Sequence, residues 1–327
     1  MITHALRRPD RDAMTALCEG VVVVNYSRHA LVQDDAGARH DCQIKGRELA
    51  PVAGDRVRFR VQAPVVGVIV ELLPRRTVLA RHDPHKALAP LAANVDLMCI
   101  VLAPLPAPEP FLIDKYTVAA ALLGIEPLLV LNKIDLAGGP SDGDDAPGAA
   151  LGAALAELLA EYAALGIRGV STSTTDGRGL EAFRAAIGAR AAIVVGPSGV
   201  GKSSLLNRLL PDLAERVGEI SCVSGEGRHT TTRTMRFELP GGGVLFDSPG
   251  VRDFHLWPMP VRELAHGFVE FRALAPRCRF GDCSHRSEPR CAVRDAVEAG
   301  TLSTRRYEAY LGLTRIMDRQ YVAWEQR

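Results

Sequence analysis

The stretch Ala191-Ala192-Ile193-Val194-Val195-Gly196-Pro197-Ser198-Gly199-Val200-Gly201-Lys202-Ser203-Ser204 decides the fold. Five apolar residues predict a buried strand, and the pattern GxxxxGK[ST] follows at once, where a strand gives way to a helix. Its glycines let backbone N–H groups point at phosphate oxygens, and the helix starting near Lys202 turns its positive end to the same place. Gly196 to Ser204 therefore read as a phosphate cradle. Lys202 is expected to reach the terminal phosphates and the Ser203 hydroxyl to join a Mg²⁺ shell.

Upstream, the apolar run Pro127 to Leu131 leads into Asn132-Lys133-Ile134-Asp135. At a strand's C-terminal end, Asp135 can accept hydrogen bonds from guanine N1–H and the 2-amino group. Adenine has no such donor pair and would leave the carboxylate unpaired. Lys133 can lay its stem along the base, and Ser171-Thr172 after Val170 are expected to offer a backbone N–H to the guanine oxygen. Downstream, the strand Gly243 to Phe246 leads into Asp247-Ser248-Pro249-Gly250, a DxxG element. Asp247 would serve the Mg²⁺ shell and the Gly250 N–H the γ-phosphate. Gly227-Arg228-His229-Thr230-Thr231-Thr232 lies between, where a switch segment belongs; Thr230 or Thr231 is the candidate Mg²⁺ ligand and His229 the candidate for positioning water.

A typical GTPase orders these pieces as phosphate loop, switch Thr, DxxG, NKxD and Ser-Ala turn. In this chain NKID and the Ser-Thr turn come first. Joining the end of the domain to its start restores the usual cycle, so the α/β domain is circularly permuted. Strand and helix alternate across it, with Ile113 to Leu123, Ala149 to Leu165 and Leu180 to Ile187 predicted as helices, which implies a mostly parallel sheet.

The flanks differ in kind. From about residue 16 to 75 short strands are expected: Gly20 to Asn25, Gly67 to Leu72, and a stretch where Val57, Phe59 and Val61 alternate with Arg56, Arg58 and Arg60. This alternation has strand period and one basic face, and a small oligonucleotide-binding type of barrel accommodates the strands. After about Arg252 the pattern turns helical. There Cys278, Cys283, His285 and Cys291 fall within 14 residues. Three thiolates and an imidazole complete a tetrahedral Zn²⁺ shell with no open position, so one structural zinc is expected.

The chain has 327 residues, 47% hydrophobic and 24% charged, enough for several packed domains and too apolar for disorder. No apolar run spans a membrane and the first twelve residues do not read as a secretory signal, so a cytoplasmic location is expected. Net charge is +1, yet Arg39 to Arg81 carry nine Lys/Arg against four Asp/Glu, and Phe271 to Arg294 six against two. Two basic regions, with Lys45, Arg47, Arg75, Arg76 and Arg81 near the arginine strand, suit nucleic-acid contact.

In this order the motifs resemble the ribosome small subunit-dependent GTPase A family. The matching features are the barrel, Ala93-Asn94-Val95-Asp96, NKID, GPSGVGKSS, GRHTTT, DSPG and the terminal Cys/His cluster, together covering about residues 17 to 320. The resemblance implies a multidomain chain: a short extension (1–15), an OB-like barrel (16–80), a permuted GTPase domain (85–253) and a zinc-binding helical domain (254–327). It implies a monomer that hydrolyses GTP, with Mg²⁺, one zinc, and the small ribosomal subunit and its rRNA as partners. Two other readings share the motifs: a permuted GTPase serving another RNA, and a non-enzymatic RNA-binding protein with structural nucleotide; intact Lys202, Ser203 and Asp247 favour turnover. Val251 follows DxxG where many GTPases carry a water-orienting Gln, so slow intrinsic hydrolysis is expected. Because Gly250 leads within a few residues to Trp257, the γ-phosphate is expected to move the zinc domain.

Overall fold

Six consecutive buried residues make Leu97–Leu102 the centre of the molecule, as an apolar run without alternation requires of a strand covered on both faces. The computed structural model describes residues 17–46, 49–63, 65–83, 86–137, 147–213, 233–248 and 256–325. Its strands are β1 (Leu17–Asn25), β2 (His29–Asp34), β3 (Arg39–Ile44), β4 (Arg56–Ala63), β5 (Val66–Leu72), β6 (Val78–Asp83), β7 (Lys86–Ala93), β8 (Leu97–Leu102), β9 (Glu126–Leu131), β10 (Arg168–Ser171), β11 (Ala191–Val195), β12 (Met235–Glu238) and β13 (Val244–Asp247). The helices are α1 (Pro110–Leu123), α2 (Pro147–Ala164), α3 (Leu180–Ile187), α4 (Lys202–Leu209), α5 (Val261–His266), α6 (Ala292–Glu298) and α7 (Thr304–Glu325).

One sheet runs β10-β9-β8-β11-β13-β12-β1-β2-β3-β5-β4. Its first five strands are parallel and β12 is antiparallel to β13. Numbered cyclically from β11, these six strands take the order 6-5-4-1-3-2, so the permutation read from the motifs is also a property of the sheet. The other five strands close on themselves, β4 returning to pair with β1, and form a five-stranded barrel around Val22, Val32, Cys42, Val57, Phe59 and Ile69. Closure leaves the barrel no free edge.

The two sheets meet at β1, where Val24 faces Met235. Near the joint, Gly54 adopts φ +90 and a Cβ there would run into Ala93 O and the Phe246 ring, so only glycine allows the approach. The hairpin β6–β7 spans residues 78–93, across the interval that the sequence left between barrel and GTPase domain.

The arginine strand departs from expectation. Phe59 is buried as its alternation requires, but the basic face is not bare. Arg56 pairs with Glu19 and Asp35, Arg58 with Glu19 and Glu71, and Arg75 with the buried Asp55 at 2.7 Å. β1 and β5 flank β4 and bring their carboxylates alongside, which reading β4 alone could not show.

Helices cover both faces of the parallel sheet. α3 and α4 pack on one, with Phe183, Ile187, Leu205 and Leu209. α1 and α2 pack on the other and share a core with the C-terminal helices, through Tyr116, Tyr162, Leu264, Phe268, Tyr310 and Leu313. The zinc-domain helices are therefore continuous with the GTPase core. Asp114, fully buried on α1, accepts from Arg305 Nη1 and Arg306 Nη1 of α7, both at 2.7 Å, and from the Tyr162 hydroxyl at 2.5 Å. Arg306, 2% exposed, also donates to Glu270 at 2.7 Å, and Arg305 to Glu161 at 2.8 Å. Burial, and then the Asp114 carboxylate, push the Tyr162 hydroxyl up, so it stays a donor. Removing one partner of such a buried set strands the others, at roughly 3–5 kcal/mol. Arg306→Met is expected to lower unfolding free energy by about that amount in urea titrations; an unchanged midpoint would mean that the network carries no net stability.

Candidate functional site

The C-terminal ends of β8, β9, β10, β11 and β13 converge on one rim, the end at which open parallel sheets bind ligands. β11 stops at Val195 and the chain turns through the phosphate loop into α4. Gly201 caps α4 at φ +93, and a Cβ there would collide with Asn132 Nδ2. The glycine is needed both for its backbone angle and for the close approach of a side chain from the base-binding motif. Lys202 Nζ donates to Gly196 O at 2.8 Å and Pro197 O at 2.5 Å, so the ammonium lies over its own loop. Ser203 and Ser204 are exposed in the first turn of α4. Asp247 ends β13, which pairs with β11 through Ile193 and Phe246. Ser248 beside it is buried, its hydroxyl 2.8 Å from that of Thr234. Lys202, Ser203 and Asp247 thus share one end of two adjacent strands, an ammonium of the kind that meets phosphates beside a hydroxyl and a carboxylate of the kind that meet Mg²⁺.

Asn132 follows β9 and is fully buried. Its Nδ2 donates to Val200 O at 2.9 Å, and its Oδ1 accepts from Thr172 Oγ1 at 3.2 Å. Lys133 has φ +61 and sends Nζ to Leu105 O at 3.0 Å and Gly199 O at 2.5 Å, its stem crossing from the NKID turn to the phosphate loop. Asp135, on the 3-10 turn Ile134–Leu136, accepts from Ser173 Oγ at 2.6 Å, which fixes the carboxylate's direction.

That contact corrects the sequence reading. Ser171 is the last residue of β10, exposed and paired with Leu131. The Thr172 N–H donates to Leu131 O at 2.7 Å and is occupied by the sheet. The turn starts two residues later than Ser171. Ser173 N–H reaches Arg178 O, and its hydroxyl accepts from the Thr175 and Asp176 amides. Gly177 N–H donates to Ser173 O and Arg178 N–H to Asp176 Oδ1. From 172 to 178, Thr174 holds the one amide with no partner among the described residues. Ser173 and Thr174 therefore occupy the turn beyond β10, where the sequence reading put Ser171 and Thr172. The Ser-Thr step occurs twice in succession, and the sheet register that sets Ser171 level with Leu131 decides between the copies. Arg178 closes the turn on Asp176 and holds its carboxyl at about 2.

Cys278, Cys283, His285 and Cys291 come together with all four ligand atoms within 4.8 Å of one another. Cys278 Sγ lies 4.0 Å from Cys291 Sγ and 3.6 Å from His285 Nδ1, and Cys291 Sγ lies 3.5 Å from that nitrogen. A tetrahedron with Zn–S of about 2.3 Å and Zn–N of about 2.0–2.1 Å has S–S edges near 3.8 Å and S–N edges near 3.6 Å. The three edges among Cys278, His285 and Cys291 already have these dimensions, and Cys283 lies within 4.8 Å of the others. Tyr307 and Tyr310 of α7 donate to His285 O at 2.8 Å and Ser284 O at 2.5 Å, clamping the knuckle from behind. Without a cation burial pushes the Cys283 thiol up to about 12, so thiolates here call for a metal. His229, Thr230, Thr231 and Gly250 lie outside the described residues.

The model of the RsgA GTPase family matches residues 72–257, from the last barrel strand through DSPG. This chain belongs to the RsgA GTPase family. "Small ribosomal subunit biogenesis GTPase RsgA" of Chromohalobacter salexigens is 45% identical over 295 residues, 89% of this chain and 84% of that protein. The protein of the same name from Pseudomonas fluorescens SBW25 is 45% identical over 295 residues, 89% of this chain and 83% of its own. Among solved structures, YjeQ from Thermotoga maritima is 31% identical with TM-score 0.74, covering 92% of this chain and 99% of that one. YloQ, described as a circularly permuted GTPase, is 22% identical with TM-score 0.73, covering 98% and 99%, and supports the fold. Membership makes the chain a GTP hydrolase, with GTP, GDP and Mg²⁺ as the family's general ligands.

The two halves of the site give a paired prediction. Asp135→Asn should exchange GTP for xanthosine triphosphate in a nucleotide-binding titration. Ser173→Ala should weaken GTP about 10- to 100-fold, the worth of a hydrogen bond to a charged group, while Ser171→Ala should leave affinity unchanged. Loss at Ser171 and none at Ser173 would return the turn to its sequence-based position.

Proposed function

We propose that this chain binds the small ribosomal subunit and its rRNA late in subunit maturation, as a cytoplasmic monomer whose grip is set by bound GTP or GDP. The observation that carries this reading is the 45% identity, over 89% of the chain, to proteins named for small-subunit biogenesis. No helix among the described residues is long and apolar enough to cross a membrane. Domains run 16–80, 85–253 and 254–327, with β6–β7 bridging the first two.

In this reading Gly196 to Ser204 cradle the phosphates, with Lys202 on the terminal ones and Ser203 and Asp247 on Mg²⁺. Asn132, Lys133, Asp135, Ser173 and Thr174 hold the guanine. Thr230 or Thr231 completes the Mg²⁺ shell, Gly250 meets the γ-phosphate and His229 places water. Cys278, Cys283, His285 and Cys291 hold one structural zinc.

The route from nucleotide to partner differs from the one the chain order suggests. The C-terminal helices share the GTPase core and are locked by Asp114 and Arg306, which argues against a hinge there. The barrel pairs with the sheet through one bridge, Val24 to Met235, and packs Val23, Val24, Tyr26 and Leu31 into one core with Leu97, Val101, Met235 and Phe237. Arg233, directly after the Thr run, lies over the Tyr26 ring of the barrel at 4.8 Å, and Thr234 bonds Ser248 of DSPG. A change at either switch therefore reaches β12 and the barrel first, an order–disorder coupling of known type.

GTP turnover with and without purified small subunits tests the reading. Slow turnover alone and marked stimulation by subunits is expected, with tighter subunit binding for a non-hydrolysable GTP analogue than for GDP. Fast turnover indifferent to subunits, or equal affinities in both states, would overturn it. Elemental analysis should find one zinc per chain, and Cys283→Ser should lose it and lower the melting temperature; a metal-free protein of unchanged stability would remove the zinc assignment.

A further inference from the structure

A cavity of about 340 Å³ opens beside the Cys/His knuckle, within the roughly 300–1,000 Å³ of small-ligand sites. Arg262, His266, Arg272, the buried Phe271 and Phe280 line it, and it reaches the metal ligands Cys278, Cys283 and His285. Phe280 sits between the first two metal ligands and is 39% exposed, the one aromatic among the exposed large hydrophobic side chains of the described residues. Its loop is closed by the metal ligands at either end, so the ring is presented from a rigid support. Arg279 lies over it, 5.3 Å from the ring centroid.

The charges around this cavity differ in kind from those on the barrel. Arg56, Arg58, Arg75 and Arg76 each pair with a carboxylate, which leaves Arg60 of the arginine strand without an ion pair among the described residues. Among the described residues Arg262, Arg272, Arg277 and Arg279 pair with none. Arg272 donates only to His266 O, at 3.2 Å. Of the acids close by, Glu270 is taken up by Arg306 and Glu288 by Ser284, and Asp282 in the knuckle loop makes no ion pair among the described residues. The rim is a set of uncommitted guanidinium groups around an exposed flat ring.

We propose that this cavity receives one unstacked nucleotide of an RNA strand, its base against Phe280 and its phosphates on Arg262 and Arg272; this rests on the RNA-binding reading above. Single-stranded RNA is recognised by splaying a base onto an aromatic ring or guanidinium plane while cations hold the backbone. An acidic peptide would use the arginines but gain nothing from a ring beside a base-sized cavity. Arg277 and Arg279 continue the positive rim outside the cavity, as a strand running on from the captured nucleotide requires.

The test uses the full chain loaded with a GTP analogue and two labelled ten-residue RNAs, one carrying a single adenine among abasic residues and one wholly abasic. The wild type should bind the first strand more tightly. Phe280→Ala should lower that affinity about 5- to 100-fold and leave the abasic strand unaffected, with zinc content and GTP affinity intact. Arg262→Ala should weaken both strands alike and reduce the salt slope by about one. Equal binding of the two strands by the wild type, or no effect of Phe280→Ala, would overturn the cavity and leave a backbone-binding patch. Polyglutamate displacing both strands equally from wild type and Phe280→Ala would do the same. Subunit-stimulated GTP turnover, measured on the same wild-type preparation, separates the two failures: its absence overturns the proposed function, and its presence without base dependence overturns the cavity alone.

Discussion

One buried amide holds the site in register. Asn132 donates to Val200 O of the phosphate loop and accepts from Thr172 at the end of β10. It joins segments 68 and 40 residues away along the chain. Because a buried amide left unpaired costs about 1–3 kcal/mol per group, the three loops are held together or not at all. Gly201 leaves the space into which that amide fits, and Lys133 doubles the tie by bonding Gly199. The spacing between the NKID turn and the phosphate loop is set by these contacts, the kind of preorganisation that a specific site needs.

The permutation makes the tie more necessary. In this chain order the base motif is made first and the phosphate loop about sixty residues later, and the barrel and metal knuckle occupy the two ends that permutation opened. Each end is fastened differently. The knuckle's helices pack into the face covered by α1 and α2, and Arg305 and Arg306 reach Asp114 inside it. Such a set resists partial opening, because any single break leaves a desolvated charge. The barrel shares one strand bridge and a glycine contact with the sheet, and its Val23, Val24, Tyr26 and Leu31 join the core on the face covered by α3 and α4. Both ends are thus packed onto the central sheet, one on each face, and among the described residues the C-terminal one adds a buried charge network.

Local patterns made much of this legible. The phosphate loop, NKID and the Cys/His knuckle are each contiguous, and their chemistry depends on residue type at fixed spacing. The Ser-Thr turn was not legible in the same way: Val170-Ser171-Thr172-Ser173-Thr174 contains the step twice, and only the pairing of Ser171 with Leu131 shows which copy lies beyond the strand. The Asp114 network was hidden for another reason. Asp114, Glu161, Glu270 and Arg306 are scattered over nearly two hundred residues, and each alone looks like an ordinary helix-surface charge.

Arginine placement shows the same limit from the other direction. Counting charges marks the barrel segment and the knuckle segment as similarly basic, yet the quantity that matters to an anionic partner is the charge left uncompensated. β4 lies between β1 and β5, whose Glu19 and Glu71 are aligned with Arg56 and Arg58 by sheet register. Exposed pairs of this kind are individually weak, but they neutralise the face they cover. Among the described residues no strand lies beside the knuckle to deliver carboxylates: Glu288 is held by Ser284, Asp318 of α7 reaches Arg286, and Glu270 is drawn inward by Arg306. The buried network that fastens the C-terminal helices thereby also withdraws one carboxylate from the arginines around Phe280.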